Sequence, residues 1–223
     1  RSYVDDYLRE EVLEEGLVRN LPVFSDFLRI AALGDTGVIN ISNIARECGV
    51  AASTAREHFQ ILEDTMLGAF LPVYTARPKR RTIRAPKFYF RDVGVVNRLA
   101  KRGTISPGSE LFGYAFENWL FHEISIHSKY SEQFYDISYW QLSSGIEVDF
   151  ILSDAQTAVE VKGKEKITNN DLKGLRHFKQ EYPNVKNRIV VCLEKKIRRN
   201  EEGIWILPYK DFLNSLWNSE WTD

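Results

Sequence analysis

The stretch Ile146-Glu147-Val148-Asp149-Phe150-Ile151-Leu152-Ser153-Asp154-Ala155-Gln156-Thr157-Ala158-Val159-Glu160-Val161-Lys162 decides how the second half of the chain is read. Ile146–Leu152 and Thr157–Lys162 each alternate apolar with polar residues, the period-two pattern of strands, and Ser153–Gln156 between them reads as a hairpin loop. A four-residue loop pairs Leu152 with Thr157, so counting back along an antiparallel ladder sets Asp149 opposite Glu160 and Glu147 opposite Lys162. Ile146, Val148, Phe150 and Leu152 then share one face, and Val159 and Val161 turn to the core. Ala158, Glu160 and Lys162 lie together on the other side. Directly opposed side chains have Cβ atoms about 4.5–5.5 Å apart, and like charges there are destabilising unless something neutralises them. A hard cation does this: Mg²⁺ commonly binds through one or two carboxylates and keeps several waters. Lys162 beside the pair offers a positive charge to a phosphate oxygen or an attacking water. The plain alternative is a hairpin edge whose acids face solvent.

Working outward, Ile137–Leu142 is aromatic and β-branched and reads as a further strand. Upstream of it, Leu111–His127 reads as a helix with Phe116, Leu120 and Ile124 at a spacing of four, carrying Glu117 and Glu123. Pro107–Gly108 marks a break before that helix. Downstream, Asp171–Glu181 reads as a helix and Arg188–Glu194 as a strand.

The first half follows another pattern. Phe24–Ala32 is a short apolar-periodic helix, followed by the turn Gly34-Asp35-Thr36-Gly37 and the strand-like Val38–Ile41. Ser42 is placed to cap a helix Asn43–Cys48, Gly49 makes the turn, and Ser53 or Thr54 caps a second helix to about Asp64. Ala55, Phe59 and Leu62 give that helix a core face, which leaves Thr54, Arg56, Glu57 and Gln60 for solvent or a groove. Leu67–Tyr74 and Arg84–Phe90 are strand-like and joined by a basic segment, as a wing would be. This is the order of a winged helix-turn-helix, a fold that also serves as a structural spacer or dimerisation unit.

Of the 223 residues, 43% are hydrophobic and 27% charged, an ordinary globular composition. The longest uncharged apolar stretches, such as Met66–Tyr74, fall short of the ~18 residues of a spanning helix, so a cytoplasmic protein without membrane partners is expected. The two cysteines, Cys48 and Cys192, suggest neither a disulfide framework nor a zinc site. A net charge of −1 hides segregation. Arg77–Arg91 carries Arg77, Lys79, Arg80, Arg81, Arg84, Lys87 and Arg91 with no acid, whereas Gly108–Lys162 has nine acids against two lysines. Gly163–Glu201 is basic again, with eleven bases to five acids. A basic stripe beside an acidic pocket suits a protein that handles nucleic acid with metal ions; a solvated surface is the bland counterpart. Glu57, Glu63 and Asp64 would repel phosphate along the second helix of the pair. The chain opens on Arg1, its one methionine is Met66, and Tyr3–Val18 reads as a helix already under way, so a preceding segment is expected.

The set Glu117, Ile146-Glu147-Val148-Asp149 and Glu160-Val161-Lys162 resembles the PD-(D/E)XK nuclease superfamily, whose core is a mixed sheet flanked by helices. The chain as a whole further looks like the C-terminal half of a family of prokaryotic AAA-like P-loop ATPases, in which a winged helix precedes such a nuclease-like domain. The likeness runs through Phe24–Ala32, Ile44–Leu62, Pro86–Gly94, Gly113–Ile124, Tyr139-Trp140 and Glu147–Gly163. No GxxxxGK[ST] occurs, so the family's ATP-binding part is not in this sequence and would precede it. Gln141 departs from the arginine that relatives often carry there, which weakens an expected phosphate contact.

The expected fold is thus α/β (α+β): a linking helix over 1–21, a winged helix-turn-helix over 22–93, and a PD-(D/E)XK-like domain over 108–217. The resemblance implies Mg²⁺- or Mn²⁺-dependent hydrolysis of DNA phosphodiesters. Asp149 and Glu160 would hold the metal, the Val161 carbonyl would complete the site, Glu117 would orient a water or second ion, and Lys162 would stabilise the attacking hydroxide or the pentavalent charge. Duplex or branched DNA would be contacted by Thr54, Arg56, Gln60, Arg77, Lys79, Arg80, Arg81, Arg84 and Lys87. The other expected partner is the ATPase domain of the same protein, and a homo-oligomer stays open. Two rival functions remain: an inactive DNA-binding or assembly module of the ATPase, and a winged-helix transcription regulator whose second domain holds an apolar ligand pocket.

Overall fold

The computed structural model describes residues 18, 20–75 and 85–222. They form two compact units, one from the residues up to Phe70 together with Ala85–Ile105, the other from 71–75 together with 106–222. The expected linking helix Tyr3–Val18 and the basic residues Arg77, Lys79, Arg80, Arg81 and Arg84 lie outside the described residues, save Val18.

In the first unit, α1 (Leu21–Leu33) is capped by Asn20, whose side chain accepts the Val23 N–H. The helix–turn–helix is α2 (Ile41–Cys48) and α3 (Ala52–Asp64), separated by Gly49 at φ +65°, a left-handed turn that glycine adopts without strain. Both helices begin earlier than expected. Asn40, not Ser42, caps α2 by accepting the Asn43 N–H at 3.0 Å, and α3 starts after Ala51 with no side-chain cap. The expected strand Val38–Ile41 shrinks to a single bridge between Val38 and Lys87, because Ile41 already belongs to α2.

Strands β1 (Gly68–Leu71) and β2 (Lys87–Phe90) pair as a two-stranded sheet. On its other edge β2 bonds the 36–39 segment, through Thr36 N–H to Phe88 O, Phe88 N–H to Gly37 O and Ile39 N–H to Pro86 O. Both edges of β2 are thus paired, and every residue of it is buried. Asp35 secures the arrangement, its carboxylate accepting the Phe90 N–H at 2.8 Å. Phe27, Phe59, Phe88 and Phe90 stack edge to face at 4.9–5.4 Å and form the core with Phe24, Leu28 and Leu62. Helix α4 (Val93–Leu99), capped by Asp92, adds Val95 and Val96 to that core and carries the unit past the expected boundary at 93.

The second unit is built on a mixed six-stranded sheet whose strands lie in the order Ile137–Gln141, Glu147–Leu152, Thr157–Lys162, Asn187–Cys192, Trp205–Pro208, Arg198–Arg199. β3 (Ile137–Gln141), β4 (Glu147–Leu152) and β5 (Thr157–Lys162) form an antiparallel meander. β5, β6 (Asn187–Cys192) and β8 (Trp205–Pro208) run parallel, with β7 (Arg198–Arg199) antiparallel at the edge. Before the meander comes α5 (Glu110–Tyr130), capped by Ser109. A 3₁₀ turn (Asn169–Leu172) and α6 (Lys173–Glu181) cross from β5 to β6, and α7 (Tyr209–Trp217) follows β8. α6 covers one face, where Leu175 and Phe178 pack with Trp140, Val148, Ile151, Ala158 and Val190. On the opposite face Phe150 stacks on Phe121 of α5. Among the described residues, no helix is long and apolar enough to cross a membrane.

The strict alternation expected of Ile146–Leu152 does not hold. β3 advances two residues, Ser138 to Trp140, while β4 advances three, Ile151 to Val148. The extra residue is a bulge at Asp149–Phe150, which puts Val148 and Ile151 on one face and turns Phe150 to the other.

Candidate functional site

The site grows out of that bulge. The β4–β5 ladder pairs Leu152 with Thr157, Ile151 with Ala158 and Phe150 with Val159, as the four-residue loop requires, and goes no further. Asp149 therefore does not stand across a ladder from Glu160, nor Glu147 from Lys162. The Asp149 carboxylate instead accepts the Val161 N–H at 2.7 Å, and this bond holds the two strands where their backbones part. Val161 thus enters the site through its N–H.

Asp149 and Glu160 are both buried, at 3% and 5% exposure. Glu160 Oε1 accepts from the Lys162 ammonium at 2.5 Å, and Glu160 Oε2 is buried with no hydrogen-bond partner. Burial first, then the charges of Asp149 and Glu147, push the Glu160 carboxyl well above the usual range, with Lys162 pulling the other way. Lys162 feels the converse. Burial works against its charge, but Glu160, Asp149 and Glu117 outweigh it and hold the ammonium protonated beyond its ordinary range.

Glu117 reaches this cluster because the first turns of α5 pack on the residue after Lys162. A Cβ on Gly163 would sit 3.0 Å from the Phe112 ring and 3.5 Å from Gly113 Cα. The start of α6 closes the other side: a Cβ on Gly174 would lie 2.0 Å from the Glu147 carbonyl oxygen and 3.3 Å from Glu160 Oε2. The structure thus brings Glu117, Asp149, Glu160 and Lys162 together, and adds groups the sequence reading gave no role. Glu147 acts on Glu160 and accepts from the Gln141 amide at 3.3 Å. Tyr114 donates to Glu110 at 2.8 Å, and that bond, burial and the charges of Glu110, Glu117 and Glu147 raise its phenol. Proximity of Glu147 was legible only in its place two residues before Asp149; nothing in the sequence marked Gly174.

The residues fit a divalent cation on two counts: paired buried acids in mutual repulsion, and an orphaned carboxylate oxygen that a cation would satisfy. Among the described residues, no group of three or more His, Cys, Asp or Glu is placed to hold a metal ion. A cation here would rest on two carboxylates, waters and substrate, the mode in which Mg²⁺ commonly binds.

The expected nucleic-acid residues separate. Arg56 and Gln60 are exposed on α3 and Thr54 is half-buried, with Gln60 donating to Asp64 at 2.9 Å. Lys87 departs from the expectation: it is 3% exposed and does not face solvent as a phosphate contact must.

Residues 1–106 match a family described as "Domain of unknown function (DUF8612)" and residues 112–212 match "Domain of unknown function (DUF4143)". No curated protein and no solved structure matches the chain. The step from one match to the next falls where the two compact units divide, after Ile105. The chain is therefore similar to two domains of unknown function in tandem, and the acidic cluster lies wholly within the second.

Proposed function

We propose that the second unit is a PD-(D/E)XK-type, metal-dependent phosphodiesterase acting on DNA, carried with a winged helix as the C-terminal half of a cytoplasmic AAA-like ATPase. The observation that carries this reading is the meeting of Asp149, Glu160 and Lys162 where β4 and β5 part. A divalent cation bound by Asp149 and Glu160 would polarise the phosphoryl group and lower the pKa of a water. Lys162, charged throughout the neutral range, would offset negative charge growing on the phosphate. The Val161 N–H fixes Asp149 Oδ2, and Glu117, half-buried on α5, is within electrostatic reach of Lys162 to orient a water. Exposed Arg56 on α3 and the basic segment after Thr75 would hold the DNA.

The second reading, a DNA-binding or assembly module that cuts nothing, draws on one contact: Glu160 Oε1 is already taken by Lys162. Nicking of supercoiled plasmid in Mg²⁺ or Mn²⁺ separates the two. Cleavage by the wild type that falls at least ~100-fold in Asp149→Asn is expected, on the scale of losing one essential electrostatic group. Absence of cleavage with either metal, or equal cleavage by the variant, would favour the module.

A further inference from the structure

Residues 163–201 carry eleven bases to five acids, and the fold gathers part of this stretch at one place. The loop after β5 and the loop after β6 both leave the C-terminal ends of parallel strands, the end at which open α/β sheets take their ligands. Lys162, the last residue of β5, lies in the acidic cluster, and Lys164 and Lys166 stand two and four residues after it.

The two loops are tied together. Leu193 N–H donates to Lys164 O at 2.9 Å, and Ile167 N–H donates to Glu194 Oε1 at 2.8 Å. Arg198 grips the same Glu194 through Nε and Nη2, both at 2.8 Å, and reaches Ile167 O. Lys164 pairs with Asp171 at 2.6 Å, and Asp171 in turn accepts from the Thr168 N–H and hydroxyl. Asp171 and Glu194 are thus consumed in fixing the loops, and they neutralise Lys164 and Arg198 in doing so. Both carboxyls are held below the usual range: at Glu194 the Arg198 bond outweighs burial, and at Asp171 burial is overcome by Lys164 and Thr168. What remains on these two loops is Lys166, Lys195 and Lys196, all exposed and with no ion pair to another described residue, against one exposed acid, Glu165.

We infer that Lys166, Lys195 and Lys196 form a rigid cationic shelf that holds the phosphate backbone of a nucleic acid beside the acidic cluster. The inference rests on the phosphodiesterase reading for the identity of the polyanion. Physical need supports it: Glu147, Asp149 and Glu160 repel any phosphate brought to them, and cations on the adjoining loops lower that cost. Loops already fixed by internal bonds lose little freedom when a strand docks, so the three lysines bind with less ordering penalty than they would on a mobile segment.

The test is binding of a fluorescein-labelled DNA duplex by the full chain in EDTA, over a salt series, for the wild type and for Lys166→Gln/Lys195→Gln/Lys196→Gln. EDTA removes cleavage from the measurement, and any contribution of the first unit is common to both proteins. The substituted side chains are exposed, and matching melting curves verify the fold. Expected are a roughly tenfold or greater weakening at low salt and a salt slope shallower by about two to three, near 0.9 per lost phosphate contact. Unchanged affinity and slope would overturn the shelf, as would unchanged DNA binding with lost binding to phosphatidylserine vesicles, which would make the surface a membrane contact. Reduced DNA binding in a protein that never nicks plasmid would keep the shelf and remove the phosphodiesterase; nicking with unchanged binding would do the reverse.

Discussion

Glu160 sits among like charges in the second unit. Its carboxyl is buried, one oxygen meets Lys162 and the other has no hydrogen-bond partner, while Asp149 and Glu147 add like charge. Ionising it therefore costs more in the folded chain than in the unfolded one. A group whose folded pKa is raised contributes stability that is complete below its unfolded value, near 4.3 for a glutamate, and is lost as pH rises through the folded value. In metal-free buffer Glu160→Gln should escape that loss. The melting temperature of the variant relative to the wild type should climb as pH rises above the ordinary carboxylate range and level off once Glu160 has ionised. Parallel curves for the two proteins across the same range would show that Glu160 carries no such strain. That Glu117, Asp149, Glu160 and Lys162 lie close together was legible from their chemistry and spacing, although the ladder expected to oppose Asp149 to Glu160 ends one pair short of them. Lys87 is the opposite case: its burial is set by what packs over the faces of β2 in the folded unit, which its own neighbours in the sequence do not reveal.

At the scale of elements, the site is set by a bulge and a helix start. The bulge in β4 was hidden because Phe150, Ile151 and Leu152 are all apolar and the strand is buried on both faces, so a one-residue slip leaves the pattern still reading as a strand. Thr157–Lys162 and the four-residue loop were read with the observed bounds, since the loop residues and the β-branched run both mark them. The seat of α6 depends on Gly174, where a Cβ would meet the Glu147 carbonyl oxygen at 2.0 Å. Within a helix, Gly→Ala ordinarily stabilises by about 0.5–1 kcal/mol. Here the clash is with backbone that cannot swing aside, and overpacking of about 1–3 kcal/mol outweighs the gain. Gly174→Ala should accordingly melt lower, by about 2–4 °C for each net kcal/mol in a chain of this size. A melting temperature at or above that of the wild type would mean that α6 does not press on β4 at this point.

Over the whole molecule, two units with separate cores meet two separate family matches, and each unit follows its own logic. The helix–Gly–helix order was legible from spacing, and a helix and a strand after β5 were expected, with the observed α6 and β6 close to those bounds. The far side of the sheet was not: β7 is two exposed residues and β8 four, too short for period-two alternation to stand out. The proposed chemistry nonetheless rests on the interior strands β4 and β5, where Asp149 and Glu160 are to share a divalent cation. A ligand that binds the folded state alone stabilises it by mass action, about 2.7 kcal/mol at a hundredfold excess over its dissociation constant. The direct measurement is thermal melting of the wild type and Asp149→Asn, with and without Mn²⁺. The account predicts a rise of several degrees for the wild type, on the scale of about 2–4 °C per kcal/mol, and none for the variant; the same rise in both proteins, or none in the wild type, would contradict it.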